Sequence, residues 1–440
     1  MNQPSPRTRR AAAVYGAALA VYFVAVVHRT ALGVAGVEAL DRFDTQATGL
    51  ALLSVMQIAV YAAMQIPAGH FLDRFGPMRV MAVGSLLMAA GQAAMALTDS
   101  FALALAARVL LGAGDAPVFI SATRLIAAWF PPRRVPVLTQ ATGFVGQTGQ
   151  LATAVPVAWV LHELGWGPAF GGLAVVGLVM VVVAVVGVAM PASNERPRES
   201  PPDRLWAALR ASTAVAGTRL GFWSHFVTPF SANVITLLWG VPFFVSAQGQ
   251  SPAGASALLV VLTLSGMASG PVAGVLTGRH PLRRSWIVLA SAIATALAWV
   301  ALLSFDTPRP FWQLALFCVV LGAGGPISLV GLDFARSWSP GARLGVASGF
   351  VNIGGFASTV AGVLLVGLVL ELVSAPGATS YSLADFRLAF AALALPWIVG
   401  VVGVLRNRRL TRADLASEGV VVPPIREAWR RSRRRRPGRS

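Results

Sequence analysis

Few residues of this chain can carry chemistry, and nearly all of them sit inside long apolar runs. Tyr15, Tyr22 and Arg29 are spaced by seven and share one helical face, and Arg108 and Asp115 share a face of another run by the same spacing. A charge in the middle of a membrane span costs about 3 kcal/mol or more, so each one found there is a candidate for function. A guanidinium offers a planar fork to a carboxylate or phosphate. Arg29 and Arg108 are therefore the candidate holders of an anionic solute, with Tyr22, Tyr61, Asn233 and Asn352 as polar partners. Asp115, the one acid near mid-membrane, is the candidate proton carrier. Other readings stand beside these: Arg108 and Asp115 neutralise one another, Arg29 reaches out to lipid headgroups, and the asparagines bond between helices. The five histidines have no metal-binding spacing and Cys318 is the only cysteine, so neither a metal site, a thiolate cluster nor an intramolecular disulfide is expected. No nucleotide-binding loop occurs, which leaves an ion gradient or the solute's own gradient as the source of energy, without a cofactor.

The elements that position these residues are membrane spans. The 440 residues are 56% hydrophobic and 12% charged, which describes a polytopic membrane protein and not an enzyme of the aqueous phase. About twelve apolar runs are each of roughly 20 residues or more. The net charge of +18 comes entirely from arginine, since all 35 basic residues are Arg. In an aqueous protein that excess would point to nucleic acid. Here the bases gather in alternate loops, at Arg74, Arg79, Arg133, Arg134, Arg279, Arg283 and Arg343, as the positive-inside rule requires, and they place both termini in the cytoplasm. The first run lacks a small-residue cleavage site and reads as a retained helix of a cytoplasmic-membrane protein.

Composition divides the chain into a cytoplasmic segment 1–10, a six-helix bundle 11–190, a cytoplasmic linker 191–219, a second six-helix bundle 220–405 and a basic disordered tail 406–440. Trp206 to Ala211 reads as a short interfacial helix within the linker. The arginine-rich tail suits anionic lipid headgroups, and with only Trp429 among its bases it lacks the stacking surface that nucleic acid needs. The halves are related: Leu111-Gly112-Ala113-Gly114, Trp129, Pro131 and Arg134 recur as Leu321-Gly322-Ala323-Gly324, Trp338, Pro340 and Arg343. Such an internal repeat is the pattern of a two-bundle transporter.

Between the second and third runs lies a charged hinge, Gly69-x-x-x-Asp73-Arg74-x-Gly76-x-x-Arg79. It resembles the signature loop of the major facilitator superfamily. It recurs, without its acid, as Gly274 to Arg283, with Gly278 where Asp73 stands. Arg108-x-x-x-Gly112-x-Gly114-Asp115-Ala116-Pro117, Arg124 and the arginine late in the first run resemble the anion:cation symporter and sugar-phosphate permease branch. Members often have Glu in place of Asp115, and Asp in place of His28. The resemblance implies an all-α fold of twelve transmembrane helices in two pseudo-symmetric bundles, alternating access, and a cavity lined by the first, fourth, seventh and tenth helices. It also implies a conformational latch of Gly69, Asp73, Arg74, Gly76, Arg79 and Arg124, in which Asp73 pairs with Arg124 and faces the amino end of the eleventh helix.

The expectation is a monomeric secondary transporter that moves a small anionic organic solute with a proton or other coupling ion. Two further readings are proton-coupled efflux of an amphiphilic or cationic compound, and a non-transporting receptor or scaffold.

Overall fold

In hydrocarbon every backbone N–H and C=O must be bonded within its own segment, so long apolar runs fold as helices. The computed structural model describes residues 6–45, 47–191, 204–374 and 381–420, and among these no strand occurs. The first half comprises α1 (Pro6–Val34), α2 (Gly36–Arg42), α3 (Ala47–Leu97), α4 (Phe101–Trp129), α5 (Val135–Ala152), α6 (Ala158–Leu164) and α7 (Trp166–Gly187). The second comprises α8 (Leu205–Ala214), α9 (Ala216–Val227), α10 (Phe230–Val234), α11 (Gly240–Pro242), α12 (Pro252–Arg279), α13 (Arg284–Leu303), α14 (Phe311–Gly324), α15 (Val330–Trp338), α16 (Leu344–Val373), α17 (Leu383–Ala391) and α18 (Ala394–Ser417).

Ten stretches of the described residues are long and apolar enough to cross a membrane. The longest, Leu52–Leu97, is two helices in one. Gly76 breaks it at φ 78°, ψ 168°, a conformation open to glycine and strained for any other residue. Pro77 follows at once and restarts the helix in a new direction. The face of the molecule that carries this turn is called the hinge face below. α5 and α6 form one further run, interrupted by a π turn at Thr153–Val157 around Pro156, whose missing N–H and bulky ring a regular helix does not accommodate.

The core of the first half gathers Ala18, Val21, Ala25, Leu32, Met88 and Leu111 from α1, α3 and α4. In the second half an aromatic nest of Phe230, Phe243, Phe386 and Phe390 packs α10 and its π turns against α17. The halves meet where α3 crosses α16. A side-chain carbon on Gly69 would collide with the Gly345 carbonyl, and one on Gly349 with the Gln65 carbonyl, so glycine alone permits this approach of two backbones. They meet again where α5 crosses α12, with Gly278 beneath the Arg133 carbonyl and Gln140 donating to the Pro326 carbonyl at 2.7 Å.

The short helix read over Trp206 to Ala211 is present as α8, with Trp206 exposed. Residues 192–203 of the linker and 421–440 of the tail lie outside the described residues. The expected start of the tail at 406 is corrected: α18 runs on to Ser417. Its last turns are not free, because Asn407 and Thr411 are buried and Arg408 donates to Ser285 of α13 at 3.1 Å.

Candidate functional site

At the centre of the first half, Arg29 of α1 donates from Nε to Asp115 Oδ2 at 2.6 Å and from Nη2 to Oδ1 at 2.9 Å. This is the two-pronged guanidinium–carboxylate fork. The Asp115 side chain is 1% exposed and that of Arg29 28%, so the pair is open on the arginine's side only. Tyr61 of α3 lies beneath the guanidinium, with Cζ of Arg29 4.7 Å from the ring centroid, a cation–π contact. Tyr61 in turn meets Phe356 of α16 edge-on at 5.0 Å, so the cluster faces the second half. Tyr22 is buried against Phe119 at 5.2 Å, in space left by Gly146 of α5. One turn along α3, Gln65 accepts from Asn352 Nδ2 at 2.8 Å and donates to the Tyr61 carbonyl at 3.2 Å. Three helices, α1, α3 and α4, thus converge on one cationic head whose carboxylate partner is exchangeable for another carboxylate.

Toward the hinge face the same seam is clasped. Asp73 accepts from the backbone N–H groups of Gly345 at 2.9 Å and Val346 at 3.0 Å, the amino end of α16. Arg124 of α4 donates to the same carboxylate. The carboxylate satisfies orphan donors at a helix start and sits at the positive end of its dipole. Across the seam Arg336 donates to Asp333 at 2.7 Å, and these two residues with Arg124 line a cavity of about 20 Å³, too small for a solute. The acid absent from the second hinge has a physical reason: a side chain at Gly278 would run into the Arg133 carbonyl, 2.8 Å from its first carbon. Asp333 supplies the second half's acid from another helix.

Arg29, Tyr22, Tyr61, Asp115 and Asn352 are brought together as one region, but Arg108 is not part of it. The reading that Arg108 neighbours and neutralises Asp115 is corrected. Seven residues of helix separate the two by about 10 Å along the axis, and Arg29 takes the carboxylate. Arg108 is buried in the seam of α3 and α4, donating from Nε to the Leu53 carbonyl at 3.2 Å while Nη1 has no partner. Gln57, buried on the next turn of α3, also lacks partners for its amide. Asn233 lies apart, donating to Thr359 at 3.0 Å within the second half. Of the hinge residues, Arg74 and Arg79 are exposed and Gly76 makes the turn. Gln140, a residue that the sequence also offers for contact with solute or for bonding between helices, and Gln65 both bridge the halves. The four-residue spacing of Gln57, Tyr61 and Gln65, a polar stripe on an apolar span, was the available signal.

These features define a polytopic helical membrane protein in two halves, clasped at one face and carrying an ion pair at the seam. The chain belongs to the Major Facilitator Superfamily, a family of membrane transporters: the family's sequence profile matches residues 18–324 and 221–437. The chain is 23% identical over 394 residues to the "Probable galactarate/D-glucarate transporter GarP" of Escherichia coli, covering 80% of this chain and 88% of that one. It is 23% identical over 447 residues to the "Methylenomycin A resistance protein" of Streptomyces coelicolor, covering 88% and 91%. Among solved structures, the E. coli fucose:proton symporter FucP superposes with a TM-score of 0.63 at 14% identity, over 88% of this chain and 98% of that one, which is a likeness of fold.

Proposed function

We propose that this protein is a secondary active transporter that carries a small organic anion across the cytoplasmic membrane by proton-coupled symport. Residues 11–190 and 220–405 are read as two six-span bundles, with the hinge face and both termini cytoplasmic. The observation that carries this reading is the open fork of Arg29 on Asp115. A solute carboxylate that enters from the exposed side of Arg29 takes the guanidinium from Asp115. The released Asp115, buried and without a cation, then binds a proton, and the loaded site crosses with its charge reduced. Arg29, Arg108 and Asp115 together leave the seam with positive charge in excess, which favours an anion over a cation. Tyr22, Tyr61 and Asn352 complete the lining and confer shape, and Asn233, bonded to Thr359 within the second half, is read as an outlying polar partner. The similarity to the galactarate/D-glucarate transporter supports a sugar acid as the class of solute.

In the described structure the inter-half contacts, from Gln65–Asn352 to Asp73–Gly345 and Gln140–Pro326, lie along the hinge side of the seam. This supports an outward-open state latched at the cytoplasmic face, with release of solute on unclasping Asp73. A second reading, efflux of an amphiphilic compound, draws on the resistance protein of similar length and on the aromatic rings around Arg29. Uptake into proteoliposomes under an inward proton gradient separates the two. Accumulation of sugar mono- or dicarboxylates, with none of the neutral sugars or cationic dyes, is the expected result, and transport confined to cations or uncharged compounds contradicts the proposal.

A further inference from the structure

On the hinge face of the second half, away from the Arg29 site, a hollow of about 440 Å³ opens between the start of α13, the end of α15 and the last turns of α18. Three arginines line it: Arg284, Arg408 and Arg412. Arg284 forms the floor. It is 6% exposed and donates from Nη1 to Ser337 Oγ at 2.8 Å and to the Asp333 carbonyl at 3.3 Å, while its Nε is buried with no hydrogen-bond partner. Arg408 donates from Nε to Ser285 Oγ at 3.1 Å, and Arg412 stands one helical turn further along α18. Glu418 is the one acid on the lining, and among the described residues no carboxylate lies within ion-pair distance of any of the three arginines. A buried guanidinium with an unused donor is costly unless an acceptor reaches it. An acceptor from outside the described residues would meet this donor.

We propose that the hollow is a binding site for the phosphate of an anionic phospholipid headgroup from the leaflet on the hinge face. Three arginines converging from two helices match the oxygens of one phosphate, which guanidinium groups engage through paired donors. The surroundings select a lipid over a phosphate free in solution. Trp286 lies beside Arg408 with its ring centroid 4.4 Å from Cζ and is 41% exposed, and Leu282 on the rim is 50% exposed. An indole and an aliphatic rim next to a basic floor mark the depth at which headgroups end and chains begin. The hollow is linked to the gate through one residue. Arg284 holds α15 by Ser337 on its last turn and by the carbonyl of Asp333 one turn earlier, and Asp333 pairs with Arg336 at the clasp between the halves. A headgroup on Arg284 therefore steadies α15 on the side where the halves are latched.

The test uses the purified full-length protein in detergent, with native mass spectrometry and thermal melting in the presence of phosphatidylglycerol, phosphatidylcholine or inorganic phosphate. Phosphatidylglycerol should be retained and raise the melting temperature, and phosphatidylcholine should do neither. The double variant Arg408→Gln/Arg412→Gln should hold phosphatidylglycerol less tightly by about fivefold for each arginine removed. Arg409→Gln, exposed and outside the hollow, should behave as wild type. Should the double variant melt early without lipid, Arg412→Gln alone, at a half-buried site, gives the same comparison. Equal retention of both lipids, unchanged retention in the arginine variants, or displacement of phosphatidylglycerol by inorganic phosphate would each overturn the assignment.

Discussion

Replacing Asp73 by asparagine should open the hinge face without unfolding the protein. Three donors converge on the Asp73 carboxylate: the N–H groups of Gly345 and Val346, at 2.9 and 3.0 Å, and the guanidinium of Arg124. Hydrogen bonds to charged groups contribute about 1.5–3 kcal/mol each. Asparagine retains one acceptor oxygen for the backbone donors, so those bonds weaken. Arg124, only 14% exposed at its side chain, loses its carboxylate outright. Asp73 and Arg124 both belong to the first half, so only the bonds from Gly345 and Val346 are lost on opening, and their weakening is about 2 kcal/mol against the clasped state. A bias of that size moves the ratio of clasped to open molecules by roughly thirtyfold. The assay is alkylation of Ser348→Cys, a position 6% exposed on the small cavity behind the clasp, in a Cys318→Ala background. Asp73→Asn should raise the alkylation rate from the hinge side by up to that factor. An unchanged rate, with the expected acceleration in Gly345→Ala, would show that the carboxylate does not hold the clasp.

Gly345→Ala should open the same face, because its new methyl would press on the Gly69 carbonyl and lie 2.9 Å from Asp73 Oδ1; Ser348→Cys alkylation reads this out, and the Asp73→Asn/Gly345→Ala double should add little to either single change. Gly76→Ala should cost about 1 kcal/mol through its φ of 78°, lowering the melting temperature by a few degrees with the latch intact. Arg108→Met should leave the melting temperature unchanged or raised, since a buried guanidinium with an idle Nη1 gives way to an apolar chain, while affinity for the anionic solute in a binding assay falls by about tenfold. Wild-type affinity in that variant would remove Arg108 from the account of the site.

Helices were legible because hydrocarbon permits few alternatives, and the hinge because Gly69 and Gly76 answer local demands, a close approach and a positive φ. The partner of Asp115 was not legible. A seven-residue spacing places Arg108 on the same face of one helix but says nothing of which neighbouring helix presents a cation at the right height, and α1 does so with Arg29. The links from Gln65 to Asn352 and from Gln140 to Pro326 span residues far apart in the chain, and only the packing of the halves sets them. The end of α18 was misplaced for a simpler reason. Hydropathy falls at Arg406, where an amphipathic continuation begins, and Asn407 and Thr411 are buried by neighbours that the span alone does not reveal.

The central claim is that Asp115 exchanges a guanidinium for a proton when the solute arrives, and reconstituted Asp115→Asn tests it most directly. In proteoliposomes with an inward proton gradient, wild type should concentrate a sugar acid above its external level, while Asp115→Asn exchanges internal for external solute yet builds no excess. Gradient-driven accumulation at the wild-type level in Asp115→Asn would contradict the account and leave the Arg29–Asp115 pair as a structural tie between α1 and α4.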